Sequence, residues 1–169
     1  GDGFRQVAVG NEHGCALDAD GAIVCWGCDG GEIGDVGPCD PPPGEFVYLD
    51  SGSGNMCALD VDGAMSCWGD DEWGQNDVPG GIFTTMSTFY GHTCGIHPDG
   101  SMACWGEGLW GQTEVPAGPV YTRVGVSDWT TYALDDNNGL LCWGRRSCEK
   151  AQEELWTDLS IYTTATCGV

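Results

Sequence analysis

Cations are what this chain lacks most. Against 26 acidic side chains it sets 5 basic ones, with Lys150 its single lysine, for a formal charge of -21 at pH 7. Nucleic acids and anionic membranes are held chiefly through lysine and arginine, so both are disfavoured as partners. No apolar run approaches the roughly 18 residues that cross a bilayer, so membrane insertion is not expected. No signal peptide heads the chain, which therefore reads as a mature or trimmed product. Catalytic signatures are missing too. No Ser-His-Asp pattern, phosphate loop or HExxH stretch occurs, and scattered carboxylates without a pocket make no acid/base pair. Neither enzyme activity nor a cofactor is expected.

What is present is glycine and cysteine. The 29 glycines and 8 prolines favour strands and turns over long helices. Eleven cysteines in a chain this short exceed what a reducing cytosol usually holds without a metal, and the zinc-type CxxC spacing occurs once, as CWGC at 25–28. A disulfide protein of an oxidising compartment follows: extracellular, secreted or on the cell surface, with the periplasm as the alternative.

One phrase recurs: CALDADGAIVCWG at 15–27, CALDVDGAMSCWG at 57–69 and CGIHPDGSMACWG at 94–106. An aromatic residue precedes the first cysteine position by the same interval in Phe4/Cys15, Phe46/Cys57, Phe83/Cys94, Tyr121/Tyr132 and Trp156/Cys167. Repeat starts fall 42, 37, 38 and 35 residues apart, a period of stacked or radially arranged units. The chain therefore divides into units at about 4–45, 46–82, 83–120 and 121–155 with a partial fifth at 156–169, all within one repeat domain, 1–169. Inside a unit the pattern alternates, so Val7 and Val9 share a face, as do Cys15 and Leu17, or Ile23 and Cys25. The DADG, DVDG and PDG stretches suit a three-residue hairpin loop with glycine in the left-handed position. The connector after the third strand, such as 69–81, must run back along the unit and is long enough to register as a fourth strand.

Pairing outward from Asp20 sets Cys15 opposite Cys25, within reach of a disulfide. The same register pairs Cys57 with Cys67 and Cys94 with Cys104; buried free thiols are the alternative. Cys28 and Cys39 bracket an insertion of the first connector and are expected to close it. Cys142 has lost its hairpin partner to Tyr132, and Cys167 expects one beyond the chain. Among Cys142, Cys148 and Cys167, one pair and one leftover thiol are expected, the leftover serving an intermolecular bond or a missing segment.

The pattern F..V..G..H.CAL..DG...CWG, with WGQNDVP at 73–79 and WGQTEVP at 110–116, resembles the regulator-of-chromosome-condensation repeat superfamily. The short period and the GQ..VP return are most similar to its bacterial branch, which includes β-lactamase inhibitor protein II. The resemblance implies an all-β fold, a β-propeller with blades of three to four antiparallel strands. It implies no single activity, because exchange factors, inhibitors and lectin-like binders share the fold.

Such propellers usually close with more blades than the four full repeats and partial fifth seen here. Either the chain is a piece of a longer propeller, or separate copies complete each other by strand addition, giving oligomers or filaments. Self-association is thus an expected protein partnership.

Other residues invite sites. Asp18/Asp20 and Asp60/Asp62 begin like calcium loops but lack further ligands, and the loop bearing Asp29, Glu32, Asp35 and Asp40 reads as solvated, so no metal is expected. His13 and His92 share a position with Asn55, Thr130 and Ala165, which suits a side chain bonding local backbone. Trp26, Trp68, Trp105 and Trp143 recur as packing residues. Trp73 and Trp110 stand apart among acids and glycines of the connectors. Packing between blades is the plainer account of them; the sharper one makes them anchors for a protein or a carbohydrate. RRSCEKAQEELW at 145–156 carries three of the five basic residues, with Ser147 placed to cap a helical turn.

Overall fold

A computed structural model describes residues 3–28, 37–146, 159–162 and 165–168. The first sheet is β1 (Phe4–Val9), β2 (Gly14–Asp18) and β3 (Ile23–Trp26). The second is β4 (Phe46–Ser51), β5 (Asn55–Asp60) and β6 (Met65–Gly69); the third is β7 (Thr85–Phe89), β8 (His92–Ile96) and β9 (Met102–Gly106). The fourth is β10 (Tyr121–Ser127), β11 (Thr130–Asp135) and β12 (Leu140–Gly144), and β13 (Leu159–Tyr162) pairs with β14 (Ala165–Gly168). Each three-stranded sheet is an antiparallel meander in chain order. The first strands of successive sheets pack on one another, so they line the centre while third strands lie outside. This is the blade arrangement of a β-propeller, and the described residues contain no helix.

Local chemistry explains each hairpin. Asp18 Oδ1 accepts from the backbone N–H groups of Asp20 and Ala22, both at 2.9 Å, and Asp60 Oδ1 does the same for Asp62 and Ala64. These carboxylates hold the turn. Gly21, Gly63 and Gly100 take φ between +80° and +88°, and in the fourth hairpin Asn138 takes the left-handed position at +61°. Cys15, Cys57 and Cys94 face Cys25, Cys67 and Cys104 across the ladder and are bonded to them, with Cα atoms 4.0 to 4.1 Å apart. Cys28 and Cys39 are also bonded, at 5.9 Å between Cα atoms. Cys142, opposite Tyr132, is disulfide-bonded, so it is not a thiol left over for another chain. Cys148 lies outside the described residues; Cys167 stands opposite Ser160.

The core is made between blades. Phe46 and Leu49 of the second sheet pack on Ala8, Cys15 and Leu17 of the first, and Phe83 and Met86 of the third pack on Cys57 and Leu59 of the second. The first sheet shows the contrast: Phe4 is 62% exposed where Phe46 is 5%, and Val7 is 54% exposed where Leu49 is 1%. The face shared by Val7 and Val9 is therefore open, because each sheet buries that face against its predecessor. Trp26 is half-exposed for the same reason, whereas Trp68 is buried with its indole N–H donating to the Pro38 carbonyl at 2.8 Å.

Two expectations need correction. Among the described residues the connectors add no fourth strand; residues 70–81 and 107–118 fold as turns, with Gly74 and Gly111 at φ +74°. His13 and His92 do not bond only local backbone. The ring of His92 reaches Thr131 Oγ1 at 3.0 Å on the fourth sheet, and that of His13 reaches Met56 Sδ at 3.1 Å on the second. Asn55, at the same repeat position, donates to Thr88 Oγ1 on the third. This position ties blade to blade. The stretch 147–158, with Ser147, and the acidic residues Asp29, Glu32 and Asp35 lie outside the described residues.

Candidate functional site, an aromatic rim

Trp73 and Trp110 leave their connectors through one device. The N–H of Trp73 donates to Gln75 Oε1 and that of Trp110 to Gln112 Oε1, both at 2.9 Å. The two glutamines are fully buried. Gln75 also accepts, through its backbone carbonyl, from Trp105 Nε1 at 2.9 Å and Thr93 Oγ1 at 3.0 Å, and Gln112 likewise from Thr131 Oγ1 at 2.7 Å. Each connector is thus fixed to the following blade, and its tryptophan stays 42% (Trp73) or 51% (Trp110) exposed on the same rim. Exposed indoles on a backbone fixed by buried amides present apolar area from a connector that is already ordered before binding.

Each tryptophan meets two further elements of the next blade: the turn between its first two strands and the residue after CWG. Beside Trp73 these are Gly91 and Glu107; a Cβ on Gly91 would lie 3.0 Å from Trp73 Cδ1 and 3.1 Å from Glu107 Oε2. Beside Trp110 they are Trp129 and Arg145, whose guanidinium carbon lies 5.1 Å and 4.6 Å from the Trp110 and Trp129 ring centres. One backbone hydrogen bond closes both corners, since Glu107 N donates to the Gly91 carbonyl at 2.7 Å and Arg145 N to the Trp129 carbonyl at 2.8 Å.

The side chains differ electrically. Glu107 is 7% exposed, its Oε2 has no hydrogen-bond partner, and burial pushes its carboxyl up from the usual range. Behind the same corner, burial pushes His92 down to about 4, so it is neutral at pH 7. On the inner strand β4, burial raises Asp50 to about 6 even though it accepts from Thr88 N and Ser51 N, each at 2.9 Å. Among the described residues no group of His, Cys, Asp and Glu is placed to hold a metal ion.

Gly91, Glu107, Trp129 and Arg145 were not singled out by sequence reasoning as one site. The usable signal was the column after CWG, which reads Cys28, Asp70, Glu107, Arg145 and so reverses charge between the later repeats.

With this geometry in view, residues 4–30 match the family model of the regulator of chromosome condensation (RCC1) repeat. The first repeat is thus similar to the RCC1 repeat, and the propeller blades of the chain are similar to those of RCC1-type proteins. A sequence search of curated proteins returns no match. Among solved structures, the ectodomain of the receptor kinase CR4 of Physcomitrella patens is 27% identical over 98% of this chain and 47% of its own, with a TM-score of 0.77. The ectodomain of the Arabidopsis thaliana receptor kinase ACR4 is 22% identical over 98% and 60%, also at 0.77. Prp20p of Saccharomyces cerevisiae, a protein described with its binding to Gsp1p and histones, is 18% identical over 83% and 45%, at 0.68. The chain thus spans about half the length of the structures it matches, and the likeness to ACR4 and Prp20p is one of fold. The four defined disulfides are the chemistry of an oxidising compartment.

Proposed function

We propose that this repeat protein is an exported binding module without catalytic activity, and that its aromatic rim, with Trp73 and Trp110 as anchors, holds a protein partner. One observation carries the reading: two large apolar side chains stay exposed although their backbones are fixed by fully buried glutamines. A frame that binds nothing gains nothing from that arrangement, whereas a binder gains rigid anchors. The stapled hairpins serve the same end by holding the rim turns. A carbohydrate-binding, lectin-like mode and an inhibitor-like mode use the same indoles and differ in the partner alone.

The test compares wild type with a Trp73→Ala/Trp110→Ala double variant as baits for secreted proteins, with Trp fluorescence titrated by glycans in parallel. A partner retained by wild type and lost by the double variant supports the reading. Equal retention by both would place the binding surface elsewhere, and quenching by glycans alone would favour the lectin-like mode.

A second reading, self-association, is favoured by the open face of the first sheet, where Phe4, Val7, Val24 and Trp26 are exposed at positions that later sheets cover. It requires that light scattering find an assembly which a Phe4→Ser/Trp26→Ser variant weakens.

A further inference from the structure

We infer that the corner formed by Trp73, Gly91 and Glu107 is a subsite for an arginine side chain of a protein partner. The inference rests on the rim reading above and goes further by naming the chemistry one corner accepts.

The molecule supplies its own precedent. In the next corner a guanidinium already lies over two indole rings, and it comes from Arg145, at the position after CWG. A planar, weakly hydrated cation suits an indole face. In the Trp73 corner the same backbone hydrogen bond is made, but three things differ around it. The resident cation is replaced by Glu107, the second ring is absent because Gly91 stands where Trp129 does, and a carboxylate oxygen faces Gly91 with no hydrogen-bond partner. A buried acceptor without a donor is costly unless something pairs with it. An incoming guanidinium supplies what the corner lacks: a cation for the indole face and paired donors for the carboxylate. An ammonium would meet the charge but not the planar fork.

Two further observations agree. Tyr90, which precedes Gly91 in the two-residue turn between β7 and β8, is 46% exposed and takes φ +50°. Such turns usually give a left-handed position to glycine or asparagine, and strain of this kind gathers at binding sites. The charge of -21 would also draw a cationic partner toward the surface.

The experiment uses the whole chain, labelled with nitrogen-15, and follows the Trp73 indole N–H resonance, assigned through Trp73→Phe. Nα-acetyl-arginine methylamide is titrated in, with the lysine and citrulline analogues as controls. The expected result is a saturable shift of the Trp73 indole, little movement at Trp110, no effect from citrulline, and binding at least tenfold weaker in Glu107→Gln. Glu107→Arg, which copies the neighbouring corner, should abolish the response, and it stands in if Glu107→Gln does not fold; the same spectra report folding. No shift, an equal shift from citrulline, or a shift indifferent to Glu107 overturns the inference. If that happens while the Trp73→Ala/Trp110→Ala variant still loses a captured partner, the rim reading survives and only the arginine subsite falls. If neither test responds, both fall.

Discussion

Trp73 and Trp110 are set by the same glutamine, the same glycine and the same backbone bond, yet one faces a buried carboxylate and the other a stacked guanidinium. The frame is common to both corners, and three side chains per corner decide the chemistry. That division is what a repeat fold offers: hairpin, staple and interblade core recur, while the rim positions vary without disturbing them. The comparison also reaches behind the rim. The Trp73 corner is backed by His92 and the Cys94–Cys104 bond, whereas at the Trp110 corner the same places hold Thr130 and the Tyr132/Cys142 pair.

The largest effect should come from acid, because only one corner is backed by a buried imidazole. His92 titrates near 4 when folded and near its ordinary 6.5 when unfolded. Between those values the unfolded chain binds more protons, so this contribution is complete above 6.5 and is lost as the pH falls through 4, about 3 kcal/mol in all. Asp50 acts in the opposite sense. Its folded value of about 6 exceeds the ordinary 3.8, so its contribution is complete below 3.8 and is lost as the pH rises through 6, again about 3 kcal/mol. In the wild type the two slopes oppose each other across pH 4 to 6. Urea titrations over that range should show His92→Asn changing toward a fall in stability with rising pH, and Asp50→Asn toward a rise. Parallel curves for all three proteins would show that neither group titrates as its burial implies.

Next in size is the staple. Replacing Cys94 and Cys104 by alanine removes a cross-link over a short loop, worth about 2 to 3 kcal/mol, and loosens the blade that carries Gly91 and Glu107. Hydrogen exchange at Gly91 and Glu107 should quicken while exchange at Trp129 and Arg145 stays close to wild type. Equal quickening in both corners would mean that the blades open together and that the corners are not separately braced.

The hairpins were legible in the sequence and the corners were not, for a physical reason. Cys15 opposite Cys25, or glycine at the left-handed position of the turn, follows from residues a few positions apart whose geometry is local. The role of His92 depends on Thr131 in another blade, a distance in sequence that no local pattern spans. Phe4 and Phe46 read alike, yet one is open and one buried, because burial depends on which sheet precedes each of them. Glu107 was one acid among 26, and only its place in the folded rim, beside Gly91 and behind Trp73, sets it apart. Trp73 and Trp110 stand out in the sequence because they sit among acids and glycines of the connectors, a local signal that a sequence does carry.

The smallest expected change in stability sharpens the comparison most. Arg145→Ala removes a cation from two indole faces at an exposed site, a loss of about 1 kcal/mol. Because the Trp110 backbone is held by Gln112 and not by the guanidinium, its ring should become more accessible to a neutral quencher such as acrylamide without the connector unfolding. A loss well above that figure, or loss of the ordered Trp110 resonance, would show that Arg145 is part of the frame. The two corners would then differ in structure and not only in the chemistry they present, and the analogy drawn from Arg145 to an incoming arginine would weaken with it.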